Sequence, residues 1–270
     1  MVPVAKPTRM PAYYLPHGGG PCFFMDWPGD PRTWDSVAAF LRSILTDLPE
    51  RPRAIVVVSA HWEARVPTVT ARQDPPLIFD YSGFPAQTYA LKYPAPGAPA
   101  LADRLRALLE DAGIVSQSDA QRGFDHGVFV PFLLVAPEAD IPIVQLSLVA
   151  GLDSQTHLAI GRALAPLRDE GVLIAGSGMS FHNMAALMGR EKPQGDAFDA
   201  WLGESIAAEP STRRERLAHW ETAPQARLAH PREEHLLPLM VVAGAAESDP
   251  GTTVFHDRIG GPIISAYRFG

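Results

Sequence analysis

The chain has 270 residues, 46% hydrophobic and 20% charged, with a formal net charge of −7. That length buries a substantial core in one large domain or two small ones. The negative balance, with no Lys/Arg run, argues against a general affinity for nucleic acid or anionic membranes. The single cysteine, Cys22, excludes an intrachain disulfide and every paired-cysteine zinc or redox motif, and it suits a reducing cytoplasm. The amino-terminal stretch MVPVAKPTRMP has no apolar h-region. The longest apolar runs, 55–58 and 128–136, fall far short of the ~20 residues of a membrane span.

Residues 12–14 (AYY) read as a first strand, followed by LPHGGGP at 15–21. Three consecutive glycines let the backbone turn sharply and approach a ligand closely. Three roles fit: a lipase-type oxyanion loop, a phosphate cradle, or a metal site with His17 as ligand and the glycines as open floor. Apolar spacing at Val37, Phe40, Leu41, Ile44, Leu45 and Leu48 predicts a helix over 34–48. The continuous β-branched run 54–59 predicts a strand covered on both faces, and 66–71 a further strand. Residues 74–99, rich in proline and aromatics, form a long ordered excursion. A helix over 98–112 ends at Gly113.

The segment GFDHGVFVPFLLVAP leads from a loop into an apolar helix. Strands are predicted over 141–149 and 171–175, with a helix over 154–169 between them and the loop GSGMSFHN after them. Helices over 196–207, 212–220 and 231–246 follow, the last with Pro231 at its start, then closing strands over 253–256 and 263–267. Strands alternating with helices predict an α/β fold: a single domain over 1–270, with a central mixed, largely parallel sheet flanked by helices.

Nine histidines are present, and their placement carries more than their number. His17 follows the first strand and His61 the second; His126 lies in a Phe-Asp-His-Gly turn, and His182 follows the strand over 171–175. In open α/β sheets ligands bind beyond the carboxyl ends of the strands, so parallel strands would bring these imidazoles into one crevice. His230 and His235 bracket HPREEH, whereas His157, His219 and His256 carry no turn signature. Converging imidazoles without cysteine suit Zn²⁺, Fe²⁺, Cu²⁺ or Ni²⁺. HExxH and HxxEH are absent, as are the GxSxG elbow of a lipase and the complete phosphate-loop patterns. That leaves His17 as a ligand.

The segments LPHGGGP, VVSAHWE, FDHGVFVPFLL, GSGMSFHN and HPREEHLLPLMVVAGAA span nearly the whole chain in order. Together they resemble the LigB-like, class III extradiol ring-cleavage dioxygenases, in the DOPA 4,5-dioxygenase-type branch. The resemblance implies one non-haem Fe(II), a catechol and O₂ as substrates, and opening of the ring beside the two hydroxyls. It implies His17, His61 and His235 as metal ligands, with Glu234 or His230 as substitutes for the third. It implies His182 as a catalytic base or a fourth metal ligand, and His126 as a second catalytic residue, oriented by Asp125. Relatives of the protocatechuate type use a glutamate as third ligand. An all-histidine site is neutral and accepts Zn(II) comfortably.

Ring cleavage needs open coordination positions, which three protein ligands leave. It also needs a base, and histidine titrates near neutrality. Among nearby aromatics, Trp62 and Phe181 adjoin proposed site histidines and are the expected substrate-binding walls. Arg122, Arg232 and Lys92 are candidate contacts for a substrate carboxylate. Two other functions compete: a zinc-dependent hydrolase, and a non-catalytic Memo-like metal-binding protein using the same histidines. A homodimer is the default expectation for an oligomer.

Overall fold

In the computed structural model residues 8–270 are described, so most of the stretch read above for a signal peptide lies outside them. Strand β1 (Ala12–Pro16) is wholly buried and runs into the glycine loop. Helix α1 (Asp35–Ser43) is followed by β2 (Ala54–Ala64), β3 (Thr68–Thr70), α2 (Pro99–Asp111) and β4 (Gln117–Asp119). Then come α3 (His126–Val135), β5 (Ile143–Val149), α4 (Ser154–Leu164), α5 (Pro166–Asp169) and β6 (Val172–Gly178). The carboxyl-terminal third holds α6 (Met184–Leu187), α7 (Asp196–Ala207), α8 (Pro210–Ala218), α9 (Ala226–Ala229), α10 (Leu237–Ala246), β7 (Gly251–Arg258) and β8 (Ile263–Phe269).

One sheet of eight strands in the order β4-β3-β5-β2-β6-β1-β8-β7 organises the domain. Strands β5, β2, β6 and β1 are parallel neighbours, while β3, β8 and β7 join antiparallel. The fold class is therefore the expected one. Unbroken burial along β6 and the first half of β2 shows helices covering both faces, which is why these segments read as continuous apolar runs. Helix α10 packs on β6, β1 and β2 with α4 beside it, and α3 packs on β2 and β6. Among the described residues, no helix is long and apolar enough to cross a membrane.

Three departures have physical causes. The helix expected over 154–169 breaks into α4 and α5 at Pro166, which has no N–H to continue the ladder. Strand β2 runs on to Ala64, so His61 lies within it rather than after it. The helix expected from Pro231 begins only at Leu237. The His235 carbonyl instead accepts bonds from the Tyr14 hydroxyl at 2.7 Å and the Met179 N–H at 3.1 Å. The backbone there is tied to the ends of β1 and β6 and cannot enter a helix.

Candidate active site

The parallel register sets the ends of β1, β6 and β2 side by side, and each end delivers a histidine. His17 follows β1, and Gly18 and Gly20 beyond it adopt φ of 84° and 57°, which only glycine takes without strain. His61 sits on an irregularity of β2: from Val58 to Glu63 that strand advances five residues while β5 advances from Leu146 to Leu148. Such a bulge re-aims a side chain. Its anchor is Ser59, whose hydroxyl accepts from the His61 N–H at 3.2 Å and donates to Asp125 at 2.7 Å.

Asp125 is fully buried, and burial raises its pKa against the lowering effect of its bonds to Ser59 and Gln145 and of Arg122. It was expected to orient His126. It holds Ser59, Gln145 and Arg122 instead. The carboxylate on His126 belongs to Asp80, whose Oδ1 takes the ring Nδ1 at 2.8 Å and the backbone N–H at 2.9 Å. Sequence reasoning missed Asp80. Its one signal was a carboxylate amid the aromatics of the 74–99 excursion.

Similar bonds turn the other rings. His17 Nδ1 lies 3.0 Å from the Ser177 hydroxyl, whose only proton goes to the Gly127 carbonyl. Ser177 therefore accepts, His17 donates from Nδ1, and Nε2 is left with a free lone pair. Glu234 Oε1 lies 2.9 Å from His235 Nδ1 and 3.3 Å from His182 Nδ1. Four imidazoles are thus held through Nδ1, the arrangement by which proteins orient metal-binding histidines.

The ring spacings differ among the five. Imidazoles bound through nitrogen to one ion at ~2.1 Å have ring centres ~3.2 Å from it, hence ~4.5 Å apart at right angles and ~5.2 Å at the tetrahedral angle. His17–His61, His17–His235 and His61–His235 are separated by 4.7, 5.1 and 4.9 Å. The His17 and His61 Nε2 atoms lie 3.1 Å apart. This trio fits a single ion. His126 packs against His61 at 3.9 Å and His182 stacks on His235 at 3.3 Å; the ligand atoms of His17, His61 and His126 also lie within 4.8 Å of one another, as do those of His182, Glu234 and His235.

Burial, then mutual repulsion, holds the pKa of His17 and His235 well below the ordinary value; burial, then His126, brings His61 down to about 3. All three are neutral at pH 7, the form in which an imidazole can bind a metal. His230, down to about 3 by burial, has the same sign. A depressed folded-state pKa means that below ~6.5 the unfolded chain takes up protons that the folded chain refuses. Stability is therefore present above pH ~6.5 and lost as pH falls toward 3, at up to ~1.4 kcal/mol per unit for each such histidine. The metal-free protein is expected to show a clear fall in Tm between pH 7 and pH 5. A Tm flat across that range would contradict the neutral cluster.

A cavity of about 440 Å³ opens over the imidazoles and is lined by His17, His61, His126, His182 and His235 together with Asp80. Its aromatic walls are Trp27, Trp34, Tyr81 and Phe84. Trp62 and Phe181, the expected walls, do not line it. Successive side chains of an extended strand point to opposite faces. Trp62, beside His61, turns into the structure under the Arg122 guanidinium at 4.4 Å, and Phe181 is buried against Gly195. Arg122, Arg232 and Lys92 do not line the cavity either. Arg122 holds Asp125, Arg232 pairs with Glu63 and Glu234, and Lys92 is exposed. His230 is buried between Phe198 and Trp220, bonded to the Ser180 carbonyl, and does not line the cavity.

A mixed α/β sheet whose parallel strand ends gather five imidazoles in one cavity defines a metal-dependent enzyme of the histidine-ligated kind. Residues 11–264 match the family described as the catalytic LigB subunit of aromatic ring-opening dioxygenase. The chain belongs to this LigB family and is an extradiol-type ring-opening dioxygenase. It is 40% identical to dioxygenase tasH of Hapsidospora irregularis, over 97% of this chain and 87% of that one. It is 43% identical to 4,5-DOPA dioxygenase extradiol of Beta vulgaris, over 82% and 84%. The crystal structure of uncharacterized protein JW3007 from Escherichia coli K12 superposes with a TM-score of 0.77 at 32% identity, covering 97% of this chain and 100% of that one.

Proposed function

We propose that the chain opens the ring of a catechol-type aromatic with O₂, using Fe(II) held by His17, His61 and His235. The observation that carries this reading is the spacing of those three rings, which leaves half of an octahedral shell for substrates. When bound, a ferrous ion supplies the electron exchange with O₂ that amino-acid side chains lack. The same donor set accepts Zn(II), which has no redox chemistry.

The protein's own part is proton handling and orientation. His182 Nε2 accepts a catechol proton, and Glu234 on its Nδ1 stabilises the imidazolium that forms. His126, with Asp80 on its Nδ1, is stabilised as a donor from Nε2 toward oxygen. The carbon–carbon bond beside the hydroxyl pair breaks, and both atoms of O₂ enter the product. Relatives named for 4,5-DOPA make DOPA the first catechol to try.

The test is anaerobic reconstitution with Fe²⁺, then oxygen and a panel of catechols, watching for a yellow ring-opened product. His182→Gln and His126→Gln are expected to keep their iron and lose ~10²–10⁴-fold in kcat, the usual worth of a positioned acid or base. No yellow product from the iron-loaded protein, with tight retention of zinc by the protein as isolated, would sink the oxygenase reading and turn attention to hydrolysis.

A further inference from the structure

The cavity is chemically mixed. Its lining combines the histidines and Asp80 with an apolar set of Trp27, Phe84, Met184, Leu187, Met188 and Ile259. At about 440 Å³ it lies in the range that encloses drug-sized ligands, well beyond a bare catechol. No lysine or arginine is among the lining residues. The nearby Arg258, on β7, is engaged by Asp196 and the Gly261 carbonyl. The one lining carboxylate, Asp80, has Oδ1 taken twice by His126 and Oδ2 lying 3.9 Å from His61. Met184 and Met188 stand 47% and 57% exposed at the rim, on the α6 turn that follows His182. Exposed apolar side chains gathered at the mouth of a cavity mark a binding surface, and flexible thioethers adapt to varied apolar shapes.

We propose that the substrate is a catechol whose ring substituent is uncharged and apolar, an alkyl or aryl chain seated against Met184, Leu187, Met188 and Ile259. This rests on the catechol reading above. The substituent is where this chain chooses its substrate: a carboxylate drawn against the apolar set loses its hydration and meets no cation, whereas each buried methylene raises affinity about four-fold. An amino-acid side chain would meet both difficulties, since its carboxylate has no partner and Asp80 is already engaged.

The experiment is calorimetric titration of the zinc-loaded protein, which binds without turning over, with 4-methylcatechol, 4-butylcatechol and 3,4-dihydroxyphenylpropanoate. Butylcatechol is expected to bind about ten-fold or more tighter than both the methyl compound and the propanoate. Met188→Arg, at an exposed position that the fold tolerates, should raise affinity for the propanoate about ten-fold and weaken butylcatechol. The proposal is overturned if the propanoate binds as tightly as butylcatechol, or if affinity does not change from methyl to butyl. Parallel turnover with iron separates the two readings. Yellow product formed best from the propanoate or DOPA overturns the apolar subsite while leaving ring opening intact. The expected binding order without turnover supports the subsite and counts against the dioxygenase. Failure of every catechol to bind overturns both.

Discussion

His17→Ala is expected to purify without its metal and to lose ring-opening activity by three orders of magnitude or more, on the order of what removal of a metal-dependent step entails. His17 is 1% exposed and central: the rings of His61, His126 and His235 all lie within 5.6 Å of its own. The substitution removes a proposed ligand at the centre of the imidazole cluster. A graded companion makes the result diagnostic. Ser177→Ala removes the acceptor at His17 Nδ1, together with the bond to the Gly127 carbonyl, and should cost ~10–100-fold in metal affinity, the usual effect of losing a ligand's hydrogen-bond partner. Metal content by elemental analysis, set beside kcat/KM, reads both. Full metal occupancy in His17→Ala would remove it from the ligand set.

Gly178→Ala is expected to be a damaging single-methyl change whose strain falls on the candidate site. A Cβ there would lie 2.1 Å from the His235 carbonyl oxygen and 3.0 Å from the Tyr14 ring. That carbonyl already accepts from Tyr14 and Met179, so the loop carrying His235 cannot retreat without breaking both bonds. Overpacking of this kind costs ~1–3 kcal/mol or more, and here the strain falls on a proposed ligand. Lower stability and weaker metal binding should appear together. Gly203→Ala on α7 is the control: its Cβ would meet only Thr253 at 3.9 Å, and a helical glycine-to-alanine change is expected to be neutral or to stabilise by up to ~1 kcal/mol. Denaturant unfolding followed by metal titration compares the two. If Gly178→Ala were as stable as wild type, the pinning of the His235 loop would be wrong.

Much of the site lay open in the amino-acid order. His17, His61 and His182 stood beside strand ends and turn residues, and strand direction with burial on both faces is a local, periodic signal. What misled was adjacency. Trp62 and Phe181 neighbour site histidines in the sequence, yet neighbours in an extended chain face opposite ways. Asp125 neighbours His126 and serves Ser59; Asp80, 46 residues away, serves His126. The start of α10 departs from the local pattern for a similar reason, since helix-favouring residues before Leu237 are overruled by bonds to Tyr14 and Met179.

By itself, then, the amino-acid sequence determined a metal-dependent α/β enzyme: apolar periodicity set the strands, and histidines beside glycine-bearing turns marked the crevice. Only the tertiary structure decided how the imidazoles are spaced in the cavity, and that Asp80 holds His126 while Glu234 holds His182 and His235. Strand register and the three-residue excess of β2 set those distances. Such distances depend on contacts between residues far apart in the chain, which no local pattern encodes.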